Sequence, residues 1–443
     1  MGILVAETKY GRVRGVAEKE YTVFKGIPYA QPPVGELRWR APQPLKAWEG
    51  IYEADHFSAK SAQGGGSGEF YEKEFYSDEA YQVDVSEDSL YLNIWTPAKE
   101  AGEKLPVAFW IHGGAYLGGS GSEMEFDGAE YAKRGIILVT INYRVNVYGF
   151  LAHPWLCAES PQGVSGNYGI LDQIAALTWV YENIAAFGGD KDKITVFGQS
   201  AGAQSVQTLV STELTGNMIA GAIMQSGGSY GVGLHTDPTM QEAMEYGEQF
   251  VEMTGAKSLA ELRAIPMEEL ERFIGPFIGK MFSPGGRLVL APNIDNYLLK
   301  DGYYRLIDDG KLKKIPYLLG STKNDLLVTE EHLKRNLPGD LYQGSVAFSQ
   351  KLEEAGRSPA YVYYFTRDLP GDEAGAFHSA ELWYMFGTLG RCWRPMTPED
   401  LALSTRMLDY WANFIKSGNP NGSGLAEWRP CSAEDAFVQV FDV

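Results

Sequence analysis

Apolar residues in this chain come in short, unbroken runs separated by longer amphipathic stretches. Val107 to Ile111, Ile136 to Ile141, Ile194 to Phe197, Ala222 to Gln225, Ile315 to Leu319 and Tyr361 to Phe365 are each strand length and rich in β-branched and aromatic residues. Tyr168 to Ile184 and Ala203 to Val210 carry helical spacing between them. Buried strands alternating with helices predict an α/β chain whose mostly parallel central sheet is covered by helices on both faces. No internal repeat appears, and the whole span 1–443 reads as one domain with excursions.

Two kinds of segment interrupt the alternation. Ser61 to Asp84 mixes glycine, serine and acids with Phe70, Tyr71, Phe75, Tyr76 and Tyr81. It reads as a long mobile surface loop, either a disordered excursion or an aromatic flap over a site. Residues at about 236–275 read as helices, with Ser258-Leu259-Ala260-Glu261 offering a capping box. Together with residues at about 397–417 they are expected to form a helical cap at the carboxyl side of the sheet.

Candidate chemistry concentrates in Gly198-Gln199-Ser200-Ala201-Gly202. A strand precedes this pentapeptide and a helix follows it, the context in which G-x-S-x-G turns sharply and lifts the serine hydroxyl into reach of a substrate carbonyl. Upstream, Trp110-Ile111-His112-Gly113-Gly114-Ala115 leaves another strand into a glycine loop. Backbone N–H groups from such a loop join that of the residue after the serine, here Ala201, to hold an oxyanion. A serine needs an imidazole to take its proton and an acid to orient that imidazole, and this kind of fold orders them Ser, acid, His. Of the histidines after Ser200, His378 hangs in a loop just past the strand Tyr361 to Phe365, whereas His332 lies in a charged segment and His235 precedes the cap. Asp325 is the first carboxylate after the strand Ile315 to Leu319, while Glu330 and Glu331 read as solvated helix charges. These residues indicate a serine hydrolase.

Composition narrows the partners. The net charge is −19, from 38 basic and 57 acidic residues, which disfavours nucleic acid and anionic membranes. No apolar run could span a bilayer, and no leader-like segment opens the chain. Three cysteines, Cys157, Cys392 and Cys431, read as reduced thiols, so a cytoplasmic protein is expected. No His/Cys/Asp cluster has ligand spacing, so neither a metal nor another cofactor is expected. Nothing in the pattern addresses oligomeric state.

Beyond the catalytic motifs, Phe24-Lys25-Gly26-Ile27-Pro28-Tyr29-Ala30, Glu87-Asp88-Ser89-Leu90-Tyr91-Leu92-Asn93, Gly166-Asn167-Tyr168-Gly169-Ile170-Leu171-Asp172-Gln173 and Gly418-Asn419-Pro420-Asn421 stand along nearly the whole chain. With them the sequence closely resembles the type-B carboxylesterase family, which includes bacterial p-nitrobenzyl-type esterases and cholinesterases. The resemblance implies an α/β-hydrolase fold and a serine carboxylesterase acting through an acyl-enzyme. It implies Ser200 as nucleophile, His378 as base, Asp325 as acid, and an oxyanion hole from Gly114, Ala115 and Ala201. Gly113 would shape the loop without donating, and Gln199, Ser226 and Glu381 match positions surrounding the triad. This chain departs from the family in several places: Asp325 stands where Glu is usual, Gln199 where cholinesterases carry Glu, and Ser89 where secreted members carry cysteine. It is also shorter between Asp325 and His378, where lid segments usually lie. Short-chain or aromatic esters are the expected substrates. Amides, carbamates or acylated sugars are the alternative, and a non-catalytic binding module is a weaker one, because such relatives lose the serine or histidine that this chain keeps.

Overall fold

The structure is a computed structural model that describes residues 2–64, 68–232, 237–281, 288–335 and 337–443. Its central sheet contains ten strands: β1 (Val16–Ala17), β2 (Thr22–Pro28), β3 (Tyr91–Thr96), β4 (Leu105–Ile111), β5 (Ile137–Ile141), β6 (Gly189–Gln199), β7 (Gly221–Gln225), β8 (Tyr317–Thr322), β9 (Tyr361–Phe365) and β10 (Gln439–Phe441). Their spatial order is β10-β9-β8-β7-β6-β4-β5-β3-β2-β1. Pairing is parallel from β10 to β5 and antiparallel from β5 to β1. A separate three-stranded sheet joins Val5–Thr8, Gly11–Arg14 and Ile51–Glu53.

The apolar runs are continuous because both faces of the central strands are buried. Along β4, Val107, Phe109 and Ile111 face one core while Ala108 and Trp110 face the other, the period of two that a pleated strand imposes. The first core receives Leu177, Trp179 and Val180 of the helix Tyr168–Asn183, and Val206, Leu209 and Val210 of the helix Ala201–Ser211. The second receives Leu403, Met407, Tyr410, Trp411 and Phe414 of the helix Pro398–Ser417.

That last helix corrects an expectation. Residues 397–417 are helical, but they cover a face of the sheet instead of capping its edge. Spacings of three and four residues along Leu403, Met407, Tyr410, Trp411 and Phe414 make one apolar stripe, and Trp411 packs on Tyr363 of β9 and Phe441 of β10. Of the stretch 236–275, residue 236 lies outside the described residues, and the rest yields the helices Met240–Thr254 and Leu259–Ala264 and most of Met267–Met281. Ser258 accepts from Glu261 N–H, but the Glu261 carboxylate accepts from Lys257 N–H, leaving half a capping box. A full box starts the preceding helix at Thr239 and Glu242. Of the segment 61–84, residues 65–67 lie outside the described residues. The rest leaves and returns side by side, Lys60–Ser61 pairing with Val85–Ser86, and contains the helix Glu69–Phe75.

One boundary matters for the site. The strand expected at Ile315 to Leu319 begins instead at Tyr317, because Pro316 has no N–H for the ladder. It runs on to Thr322, since Ser321 and Thr322 pair with Tyr364 and Phe365. Among the described residues no helix is long and apolar enough to cross a membrane.

The loop leaving β5 is fixed by an ion pair. Arg144 places Nε and Nη2 at 2.8 and 2.7 Å from the two carboxylate oxygens of Asp172 on the helix Tyr168–Asn183, and its backbone N–H lies 3.1 Å from the same group. Both side chains are buried. Removing one partner of such a pair strands the other charge, so Asp172→Asn should cost about 3–5 kcal/mol. Urea denaturation should show a lower midpoint with an unchanged slope.

Candidate active site

Ser200 sits between β6, in the middle of the sheet, and the helix Ala201–Ser211, with φ 58° and ψ −124°. Such a conformation in a non-glycine residue is strained by about 1–3 kcal/mol. It is held by the Ser200 N–H donating to the Gln225 carbonyl at 2.8 Å and by glycines on either side. A Cβ on Gly198 would stand 2.6 Å from the Gly202 backbone, and one on Gly202 would stand 2.8 Å from the His112 carbonyl. Strand, loop and helix therefore meet at a distance only glycine permits.

The neighbouring loop carries the same signature. Gly114, Ala115 and Tyr116 all have φ above +50°, which turns successive N–H groups away from the regular strand pattern. Among the described residues, the N–H groups of Gly114, Ala115 and Ala201 donate to no protein acceptor. A Cβ on Gly113 would approach Ser200 Cβ to 3.1 Å, so this glycine shapes the passage beside the serine. His112 is structural: burial lowers its imidazole to about 4, its ring stacks on Tyr143, and its Nδ1 lies 2.8 Å from the Gly113 carbonyl.

Asp325 and His378, 53 positions apart, meet in this structure with Oδ1 2.5 Å from Nδ1. The other carboxylate oxygen accepts from Ser226 Oγ at 2.6 Å and from Thr322 N–H at 2.9 Å. Burial pushes this carboxyl up, but the facing His378 and these donors outweigh it and hold Asp325 below the usual carboxylate range. The residue beside Asp325 bridges its loop to the histidine loop. Asn324 N–H donates to the Ala376 carbonyl at 2.9 Å, and its side-chain oxygen accepts from Ala376 N–H at 3.0 Å. Asn324 escaped the sequence reading, which had no signal for a residue whose role is to bridge two loops.

The remaining expected residues surround this pair. Gln199 Nε2 lies 3.2 Å from His378 Nε2 and 3.5 Å from Nδ1. Among the described residues Ser200 Oγ makes no hydrogen bond to the imidazole; bonds of this kind commonly tighten only in the complex with substrate. Ser226, at φ 52°, supplies its hydroxyl to Asp325. Glu381 accepts from Gln225 Nε2 at 3.3 Å and Tyr363 OH at 3.2 Å through one oxygen, while the other is buried without a hydrogen-bond partner among the described residues. Glu330, Glu331 and His332 lie on the exposed helix Glu330–Arg335, away from this cluster. His235 lies outside the described residues. Among the described residues no group of three or more His, Cys, Asp or Glu could hold a metal ion.

The model of the Carboxylesterase family matches residues 3–341 and 339–442. The chain is 32% identical to a fumonisin B1 esterase of Sphingopyxis macrogoltabida, over 96% of this chain and 84% of that protein. It is 31% identical to a para-nitrobenzyl esterase of Bacillus subtilis, over 99% and 94%. Among solved structures, a PNB esterase superposes with a TM-score of 0.84 at 30% identity, covering 99% of this chain and 96% of that one. A Geobacillus stearothermophilus carboxylesterase gives 0.81 at 34% identity with the same coverage.

Glu381 gives the site a measurable pH signature. Burial, followed by the nearby Asp325 charge, raises its carboxyl from 4.5 to about 7. The folded state therefore binds this proton more tightly than the unfolded chain does. Its contribution to stability is fully present below pH 4.5 and is lost as pH rises through about 7. The difference is about 3 kcal/mol at 1.36 kcal/mol per unit. Glu381→Gln keeps an acceptor for Gln225 and Tyr363 but has nothing to ionise. Denaturation measured across that range should show a shallower fall in stability for the variant than for the parent.

Proposed function

Since the chain belongs to the carboxylesterase family and has the α/β-hydrolase fold, we propose that this serine carboxylesterase works through Ser200, His378 and Asp325 by way of an acyl-enzyme. The observation carrying this reading is the contact of Asp325 Oδ1 with His378 Nδ1 at 2.5 Å, beside a strained serine at a strand-to-helix turn. With Nδ1 committed to the carboxylate, Nε2 carries the lone pair that accepts the Ser200 proton. Ser200 Oγ attacks the ester carbonyl, and the developing oxyanion is held by the N–H groups of Gly114, Ala115 and Ala201. The imidazolium, stabilised by Asp325, returns its proton to the departing alkoxide. Water, activated by the same imidazole, then releases the acid and restores Ser200.

Short-chain and aromatic esters are the substrates we assign, because the segment between Asp325 and His378 leaves little room for a lipase-like lid. Amides, carbamates or acylated sugars would use the same groups, so a panel of aryl, short-alkyl, feruloyl and acetyl-sugar esters ranks them. The acidic surface and three unpaired cysteines support a small-molecule enzyme of the cytoplasm without nucleic-acid or membrane partners.

Ser200→Ala should lower kcat by ~10⁴-fold or more while leaving the protein folded, and an organophosphate should label Ser200 in the parent alone. Labelling elsewhere, with activity kept in the variant, would remove the nucleophile assignment. For the acid, Asp325→Asn should lose roughly 10⁴-fold in kcat, since an amide favours the wrong tautomer. A loss below about tenfold would hand the role to another group.

A further inference from the structure

One buried carboxylate near the site takes no part in the triad. Glu74 lies in the last turn of the helix Glu69–Phe75, in a strap formed by residues 61–64 and 68–86, and its side chain is 1% exposed. Trp383 Nε1 donates to one of its oxygens and Trp393 Nε1 to the other, each at 2.9 Å. Arg394 Nε lies 3.0 Å from both oxygens. The Cys392 thiol, which burial pushes up to about 12 and so keeps protonated, lies 3.5 Å away. A surface helix needs no such anchor for its own sake.

The anchor leads to the histidine loop by several routes. The remaining nitrogens of Arg394 bind Asp372 at 2.7 and 3.1 Å and the Pro370 carbonyl at 3.1 Å, both in the loop between β9 and His378. Phe377, next to His378, meets Phe70 edge-on at 4.9 Å, Phe75 at 6.4 Å and the Arg394 guanidinium at 5.1 Å. Tyr71 OH donates to the His378 carbonyl at 3.3 Å. At its other end the strap grips the glycine loop: Gln63 accepts from Gly119 N–H at 2.8 Å and donates to the Gly119 carbonyl at 2.9 Å. The strap therefore touches both the loop of the expected base and the loop of the expected oxyanion hole.

We propose that Glu74 is a positioning residue for ester hydrolysis: it holds the histidine loop to the strap, and through the strap fixes the imidazole relative to Ser200 and the oxyanion loop. The proposal rests on His378 being the base. Its energetic logic is that a carboxylate sharing one guanidinium with Asp372 ties the strap to two stretches some three hundred residues further along the chain. Loss of the charge leaves Arg394 half-paired and frees the loop to shift, and a displacement of about 1 Å at a reacting group can cost 10²-fold in rate.

The test uses Glu74→Gln and Glu74→Asp with p-nitrophenyl acetate, well below the melting temperature, with competent sites counted by the endpoint of phosphonate labelling. For Glu74→Gln, kcat per labelled site should fall roughly 10²-fold with KM changed less than about threefold. Glu74→Asp, which keeps the charge opposite Arg394, should recover a substantial part of that loss. Phe70→Ala removes an exposed ring that touches Phe377, so it should fold and show a smaller loss of the same kind. That variant decides the matter if Glu74→Gln fails to fold. Unchanged kcat per labelled site with only a lower melting temperature, a loss carried by KM, or no recovery in Glu74→Asp would each overturn the proposal. His378→Gln run alongside separates the two readings: full activity there would defeat the base assignment itself, whereas an inactive His378→Gln beside fully active Glu74 and Phe70 variants would defeat only the role of Glu74.

Discussion

The close approach of three backbones around Ser200 governs the rest of the site. Strand β6 must end, reverse and become a helix within one residue, directly beside the loop leaving β4. Gly198 and Gly202 permit this, because a methyl group on either would overlap backbone atoms. The cost is a serine at φ 58°, and comparable left-handed residues recur at Ala115, Tyr116, Ser226 and Ser379. Strain of this kind survives only where surrounding packing over-determines it, and the two buried cores on the faces of β4 and β6 provide that packing.

Around this turn, identical carboxyl groups are driven to different states by their surroundings. Asp325 receives an imidazole, a hydroxyl and backbone donors and stays ionised. Glu381, on the same loop as His378, receives two neutral donors on one oxygen, and burial, followed by the nearby Asp325 charge, raises it to about 7. Glu74 faces Arg394 and two indoles. Glu123 and Glu125, buried after the glycine loop, are both raised, chiefly by burial. The chain is acidic throughout, yet its electrostatics near the site are set by which donors each carboxyl meets and not by net charge.

The parts of the site come from stretches far apart in the chain and are joined by a few polar contacts between loops. Asn324 ties the acid loop to the histidine loop, and Gln63 ties the strap to the glycine loop. Arg144 and Asp172 hold the exit of β5 to the helix beside it. Each contact satisfies backbone or charged groups that would otherwise be buried without partners. For that reason irregular segments can carry the site while the sheet beneath supplies its rigidity.

Much of this was legible in the sequence. The apolar runs located the parallel strands because strands buried on both faces leave no room for polar residues, and the glycine pattern located the turn at Ser200 because no other residue fits there. The bounds of β8 differ by two or three residues from the apolar run, since Pro316 delays the ladder and pairing with β9 prolongs it. The helix over residues 397–417 is visible in the sequence but its place on a face of the sheet is not, because an apolar stripe reveals that a face is buried and not what buries it. Tertiary structure alone decided that Asp325 stands 2.5 Å from His378, that Asn324 bridges their loops, and that Glu74 of the aromatic-rich helix Glu69–Phe75 meets Arg394. Contacts between residues tens to hundreds of positions apart leave no periodicity in the chain, so local pattern fixes the elements while three-dimensional packing fixes how their loops meet.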